Sequence, residues 1–255
     1  MKNFSESKNK LTGECSWIKE RKMAKKIASL LKIPLVTLNF EKEYKSLVIN
    51  PMFKSYKRGL TPNPDISCNK IIKFPLLWKA AKKYKADYIA TGHYAKIKKT
   101  LSGFELFQGS DSTKDQSYFL SKLTQFDLSH TLFPLGSLTK IEVRKLAKKN
   151  KFPNYNKKGT RGICFIGKIN MKSFLEQRIK NKPGLIKDLK NKIIGTHPGI
   201  MYFTIGQRIG SRLDIKINSH LPGKYYVAKK NLRTNTIIIA PEKHPSLKKQ
   251  KVRII

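Results

Sequence analysis

Residues 69–97 read NKIIKFPLLWKAAKKYKADYIATGHYAKI, and they decide the fold. The first two thirds read as a helix that Pro75 should kink or restart. The remainder, ADYIATGHYAKI, reads as a strand emerging into a loop. Upstream, GLTPNPD (59–65) carries two prolines within three residues and must be extended. Before it a poorer helical stretch runs from Glu41 to about Arg58, interrupted by Pro51. Further upstream, Trp17, Ala24, Ile27, Ala28 and Leu31 fall near one face, which predicts an amphipathic helix over 16–32. IPLVTLNF (33–40) follows, and after the break at Pro34 it suits a buried strand. Downstream, TKIEVRKLAKKN predicts a helix over 139–150 with a Thr cap, and residues 169–180 are again amphipathic. Helices alternating with short strands indicate an α/β layer on a parallel sheet. Ligands of such sheets sit at the carboxyl ends of strands, where ATGHY falls.

After Pro183 the texture changes. GLIKDLKNKIIGTH, KYYVAKK and NTIIIAPEKH are short β-like runs separated by Asn, Gly and Lys turns, which predicts a small β-rich domain. The expected organisation is an α/β domain over 1–168, a β-rich domain over 169–246, and the start of a further domain over 247–255.

Lys and Arg number 54 against 16 Asp and Glu, a formal charge of +38. That imbalance suits a polyanion partner, each phosphate contact releasing a counterion. Abundant Lys, Asn and Ile are also what an AT-rich genome encodes, and the charge is spread rather than blocked, so both readings stand. No stretch approaches the ~20 apolar residues that span a bilayer. MKNFSESKNK has no secretory core, so a cytoplasmic protein without a membrane partner is expected. The cysteines are Cys15, Cys68 and Cys164. An odd count without a CxxC pair speaks against a disulfide scaffold and a cysteine-rich zinc site, and no metal-binding residues are assigned.

Six strings occur in one order: TPNPDISCNKIIKF, DYIATGHYAKI, STKDQSYFL, TLFPLGSLTKIEVRKLAKKNKFP, GICFIG and MYFTIGQR. Together they resemble the bacterial and organellar tRNA-specific 2-thiouridylases over nearly the whole chain. The resemblance implies replacement of the C2 oxygen of wobble uridine 34 by sulfur, with ATP and Mg²⁺. It implies tRNA as partner, in the sets for Lys, Glu and Gln, and a donor protein that supplies persulfide sulfur. The cysteine matching Cys164 would carry that sulfur, and the one matching Cys68 would complete the transfer and leave a disulfide. A free thiol is only about 3% ionised at neutral pH, so a helix N-terminus and Lys70 would help Cys68. Cys164 standing alone would read as a packed strand cysteine. Cys15 matches no catalytic position.

The resemblance also sets Asn63, Pro64 and Asp65 against the target base, with Asp65 a candidate general acid or base. On the residues alone, Asp65 equally suits a helix cap. Gly92 and Met1 would meet ATP, and His93, Lys114, Asp115 and Gln116 would meet tRNA. Several departures bear on competence. The SGGxDSS phosphate loop of the family has no counterpart, and Met1-Lys2-Asn3 resembles an MKN that follows the family's second strand. The family's C-terminal barrel is expected to be missing after Pro245. Gly159-Thr160-Arg161 stands where the family has Asp-Ser-Thr. Leu60 replaces an Arg, Ile71 replaces a Glu, and IGSRLDIKINSH replaces a glycine-rich loop. The alternative is a degenerate relic that binds tRNA without modifying it. A different ATP-pyrophosphatase-type ligase has no use for NPD, Cys68 and GICFIG together.

Overall fold

The structure, a computed structural model, describes residues 1–4, 16–157, 159, 162, 166, 170–210, 214–218 and 222–248. Two compact units emerge: Met1–Asn50 with Asn63–Ile169, and Pro51–Pro62 with Asn170–Ile255. Pro51–Pro62 therefore counts with the second unit although it lies inside the first in sequence. No helix among the described residues is long and apolar enough to cross a membrane.

In the first unit, helix α1 (Ser16–Leu31) ends in a Schellman turn. The N–H of Ile33 reaches the carbonyl of Ala28 at 3.0 Å, and Lys32 takes the left-handed conformation (φ 53°). Lys85 and Lys151 end later helices the same way, at positions where glycine is usual. The run after α1 departs from expectation. Only Asn39 pairs there, in a parallel bridge with Lys2, while Leu35 and Val36 are 43% and 49% exposed. A strand is made by its ladder, and apolar composition without a second partner leaves these side chains in solvent.

The prolines also behave differently from expectation. Helix α2 (41–57) passes Pro51 without a break, and α3 (64–83) passes Pro75. In each case a wide π turn lies just before the proline: Lys45–Ile49 and Cys68–Lys73. The N–H of Asn50 bonds Lys45 and that of Phe74 bonds Asn69, each five residues back. The extra residue opens the turn that a proline ring would otherwise strike, so the helix continues.

After α3, strand β1 (Ile89–Ala90) pairs in parallel with β4 (Thr131–Leu132), as Lys2 does with Asn39. Between them lie the hairpin β2 (Ala95–Thr100) and β3 (Gly103–Gln108) and the short helices α4 (Ser117–Leu120) and α5 (Gln125–Ser129). Phe74, Ala95 and Leu120 form a core with Ile89, Leu106, Leu123 and Phe133 against it. Helix α6 (Lys140–Lys149) opens with the expected Thr139 cap. Thr139 Oγ1 accepts from the Glu142 N–H at 3.2 Å, and Glu142 returns a 2.7 Å bond to the Thr139 N–H.

The second unit holds α7 (Met171–Glu176) and a five-stranded sheet in the order β7-β6-β5-β9-β8. Its strands are β5 (Gly184–Lys187), β6 (Ile193–His197), β7 (Lys216–Ile217), β8 (Tyr225–Asn231) and β9 (Thr236–Pro241). Only β5 and β9 run parallel. Ile186, Val227, Ile237 and Ile239 on the strands, and Phe203 after the turn Ile200–Tyr202, are fully buried. Lys230 turns inward on β8, its ammonium donating to the carbonyls of Gly59 and Phe203, and burial pulls its pKa down to about 8. That bond holds the start of the GLTPNPD loop to the sheet of its own unit.

Candidate active site

Helix α3 organises the site. Asn63 sits in extended backbone ahead of it, and its Oδ1 accepts from the N–H groups of Asp65 (3.0 Å) and Ile66 (3.2 Å). Asn63 is therefore the helix cap, and Pro64, with its φ already fixed, takes the first turn. The capping role therefore belongs to Asn63 rather than to Asp65. Asp65 is half-buried in the first turn, and Cys68, three residues on, is fully buried. Residues three apart share a helix face, so a carboxylate and a thiol stand together near the N-terminal end of α3. Lys70 is exposed on the π turn. Asn63→Ala should cost about 1 kcal/mol of stability. Hydrogen exchange should then quicken at the Asp65 and Ile66 amides; unchanged protection there would rule out the cap.

Three further strings gather on this unit. Asn69, buried next to Cys68, donates from Nδ2 to the carbonyl of Phe119 at 3.0 Å, tying α3 to the segment after KDQ. Gln116 clamps the GHY loop from both sides: its Oε1 accepts from the Tyr94 N–H, and its own N–H donates to the Tyr94 carbonyl, both at 3.0 Å. Asp115 accepts from the Gly109 and Ser117 N–H groups and from the Ser117 hydroxyl. Burial alone would raise the Asp115 pKa, yet these donors together hold it below its ordinary value. Of the KDQ string only Lys114 is exposed.

His93 is buried, its ring stacked on Phe74 (centroids 5.8 Å) and edge-on to Phe133. Thr91 Oγ1 lies 2.7 Å from Nδ1 and Lys73 Nζ lies 3.3 Å from Nε2. Burial first, and the Lys73 charge second, pull its pKa down to about 3. The neutral ring is thus the form favoured at neutral pH. Gly92, just before it, is exposed, and a Cβ there would meet only Leu135 at 3.6 Å. The backbone at Gly92 is thus open to a flat ligand such as a nucleotide base. Met1 is half-buried in the same unit, and burial lowers the pKa of its amino group. A Gly-rich loop of SGGxDSS type, which would cradle the phosphates of ATP, does not occur in the sequence. No cluster of His, Cys, Asp or Glu among the described residues could hold a metal. Cys15, Cys164 and the neighbours Thr160 and Arg161 lie outside the described residues.

Asn69 and Thr91 were not singled out from the sequence. Asparagine inside a helix is a poor helix former, and that is the signal that could have flagged Asn69.

Residues 1–168 match the tRNA methyl transferase HUP domain, and residues 172–241 match the tRNA methyl transferase PRC-barrel domain. The tRNA-specific 2-thiouridylase MnmA 1 of Geobacillus kaustophilus is 44% identical over 248 residues, 97% of this chain and 66% of that protein. The MnmA of Nitrosomonas europaea is 42% identical over 250 residues, 97% of this chain and 68% of its own length. That of Mycoplasma mycoides is 48% identical over 220 residues, 85% of this chain and 57% of its own length. The chain belongs to the tRNA-specific 2-thiouridylase family. It spans about two thirds of the length of the first two of these relatives, and less of the third. The family accounts for the α/β unit followed by a small β-rich one.

Proposed function

We propose that the chain acts in 2-thiolation of the wobble uridine of tRNA, with Cys164 as the persulfide carrier and Cys68 as the resolving thiol. The observation carrying this reading is the shared helix face of Asp65 and Cys68, behind a rigid Asn63-Pro64 cap. A uridine flipped from its stack needs a stiff receptor, and a capped helix start with proline in its first turn is one. ATP would supply the leaving group, because the C2 oxygen does not depart unaided. With the C2 oxygen made a leaving group in that way, the terminal sulfur of a Cys164 persulfide would form the new C–S bond and the oxygen would depart with the activating group. The Cys68 thiolate then attacks the remaining Cys164 sulfur, releasing the transferred sulfur to the base and forming a Cys68–Cys164 disulfide. Turnover requires a dithiol reductant to reopen it. Asp65 would hold a proton during this exchange. Because Cys68 is fully buried, its partner must reach it inside the fold. A donor protein would load Cys164, and the tRNAs for Lys, Glu and Gln would be the substrates.

The test is formation of 2-thiouridine in tRNA by the chain with ATP, Mg²⁺ and a persulfide donor, read by mass spectrometry of digested nucleosides. Binding without thiolation would favour the tRNA-binding relic instead. The binding itself should be salt-dependent. If ~5 phosphates are contacted, the log–log slope should be about −3.5 to −4.5. Lys114→Glu should flatten it, and a slope near zero in the parent chain would make the +38 charge a matter of composition alone.

A further inference from the structure

A second cluster of cations lies in the first unit, away from the NPD turn in sequence and outside every string assigned above to catalysis. Helix α6 and the segment after it enclose a cavity of about 460 Å³. That lies within the ~300–1,000 Å³ of small-ligand sites. Lys140, Arg144 and Lys157 line it, with Asn150 and Asn154, and no carboxylate is among the described lining residues. Lys157 is already paired with Glu20. Lys140 and Arg144 have no carboxylate ion-pair partner among the described residues; the Lys140 ammonium lies over the Tyr94 ring, 5.6 Å from its centroid, which leaves the charge unneutralised. They stand four residues apart on α6, an arrangement of like charges that destabilises a helix. Asp111 bonds the backbone N–H of Lys140 at 2.9 Å rather than its ammonium. Burial first, then Arg144 and Lys114, pull the Lys140 pKa below its ordinary value. Arg144 gives one N–H to the Lys157 carbonyl, but its Nε is buried without a hydrogen-bond partner. A buried charged donor left unmade costs more than a neutral one, and an anion in the cavity would remove that cost.

We infer that Lys140 and Arg144 form a cradle for a backbone phosphate of the bound RNA, with Phe152 and Tyr155 offering the adjoining sugar or base an apolar wall. A guanidinium fork suits phosphate oxygens, and Lys140 adds charge without geometry. RNA is the source favoured by position: exposed Lys114 acts on Lys140 through its charge, so the cations run from the KDQ loop into the cavity. This rests on the tRNA reading above.

The experiment measures tRNA binding by fluorescence anisotropy across a salt series. It compares the parent chain, Lys140→Gln/Arg144→Gln, and Lys25→Gln/Lys26→Gln, which removes equal charge from exposed positions of α1. The cradle variant should bind about tenfold more weakly and lose ~0.7–0.9 from the slope, one phosphate's worth, while the control stays within about twofold. Equal weakening of both variants overturns the cradle and leaves the tRNA reading standing; a parent chain that binds no tRNA overturns both. Acetylation of Lys140 in the parent chain needs no variant and so does not depend on how the substitutions fold. Saturating tRNA should protect Lys140. Undiminished labelling, or protection by inorganic phosphate with none by tRNA, overturns the inference.

Discussion

Replacing Cys68 by serine should reduce 2-thiouridine formation to background while leaving tRNA affinity within about twofold of the parent chain. The expectation follows from what the sulfur must do. Releasing the transferred atom from a Cys164 persulfide requires a thiolate that attacks one sulfur and expels another, and an alkoxide does not form at neutral pH to replace it. Cys164→Ser should have the same effect for a different reason, since the carrier itself is gone. Mass spectrometry after exposure to a persulfide donor should then separate the two. Cys68→Ser should still acquire one extra sulfur atom on Cys164, and Cys164→Ser should acquire none. Cys15→Ser should be nearly silent. Because Cys68 is fully buried, serine places a stronger hydrogen-bonding group where the thiol sat, at about 1–3 kcal/mol if it finds no partner. Cys68→Ala removes that objection. Normal thiolation in either Cys68 variant, or sulfur found only on Cys15, would falsify the relay.

The parts of this fold that could be read in advance are those where one local rule acts alone. Thr139 followed by Glu142 is a capping box in sequence and in space, because nothing beyond one helical turn is needed to make it. The β-rich unit was legible from short β-like runs set between Asn, Gly and Lys turns, because such turns are made locally. Residues 33–40 show the limit. Their apolar composition reads as a buried strand, but a ladder partner is a non-local fact, and only Asn39 has one, in Lys2. Pro51 and Pro75 show another. A proline announces a missing N–H, but whether the chain breaks or widens by one residue depends on what the two halves of the helix pack against. In the site, Cys68 and Asp65 were legible as chemistry, and Asn63 was legible only as part of a string. Its role as cap, which removes the bland explanation of Asp65, needed the backbone. The Lys140–Arg144 pair hid inside a motif, since one more basic residue carries little signal in a chain with 54 of them.

The histidines set the second large expectation, a steep loss of stability in mild acid. His93 in the folded chain has a pKa of about 3, against an ordinary 6.5. The unfolded chain therefore takes up a proton below pH ~6.5 that the folded chain refuses, so stability is full above that pH and falls as pH drops. The slope is about 1.4 kcal/mol per pH unit for one proton, roughly 4–5 kcal/mol if followed to pH 3, which rivals the whole stability of a domain. His197, held near 4 by burial and bonded to the Asn235 carbonyl, does the same in the second unit. Asp111, Asp115 and Glu142 are held below their ordinary values and lose their stabilisation only as pH falls from about 4 downward, so pH 6.5–4.5 belongs to the histidines. Urea unfolding at several pH values in that window should show the slope. His93→Phe keeps a ring between Phe74 and Phe133 but removes the titrating nitrogens. It should lower the slope by about 1.4 kcal/mol per pH unit, whatever it does to stability at pH 7. An unchanged slope would mean that His93 protonates in place. The same neutrality reaches function: an uncharged ring releases no counterion, so His93→Phe should leave the salt slope of tRNA binding where it was, while Lys114→Glu moves it.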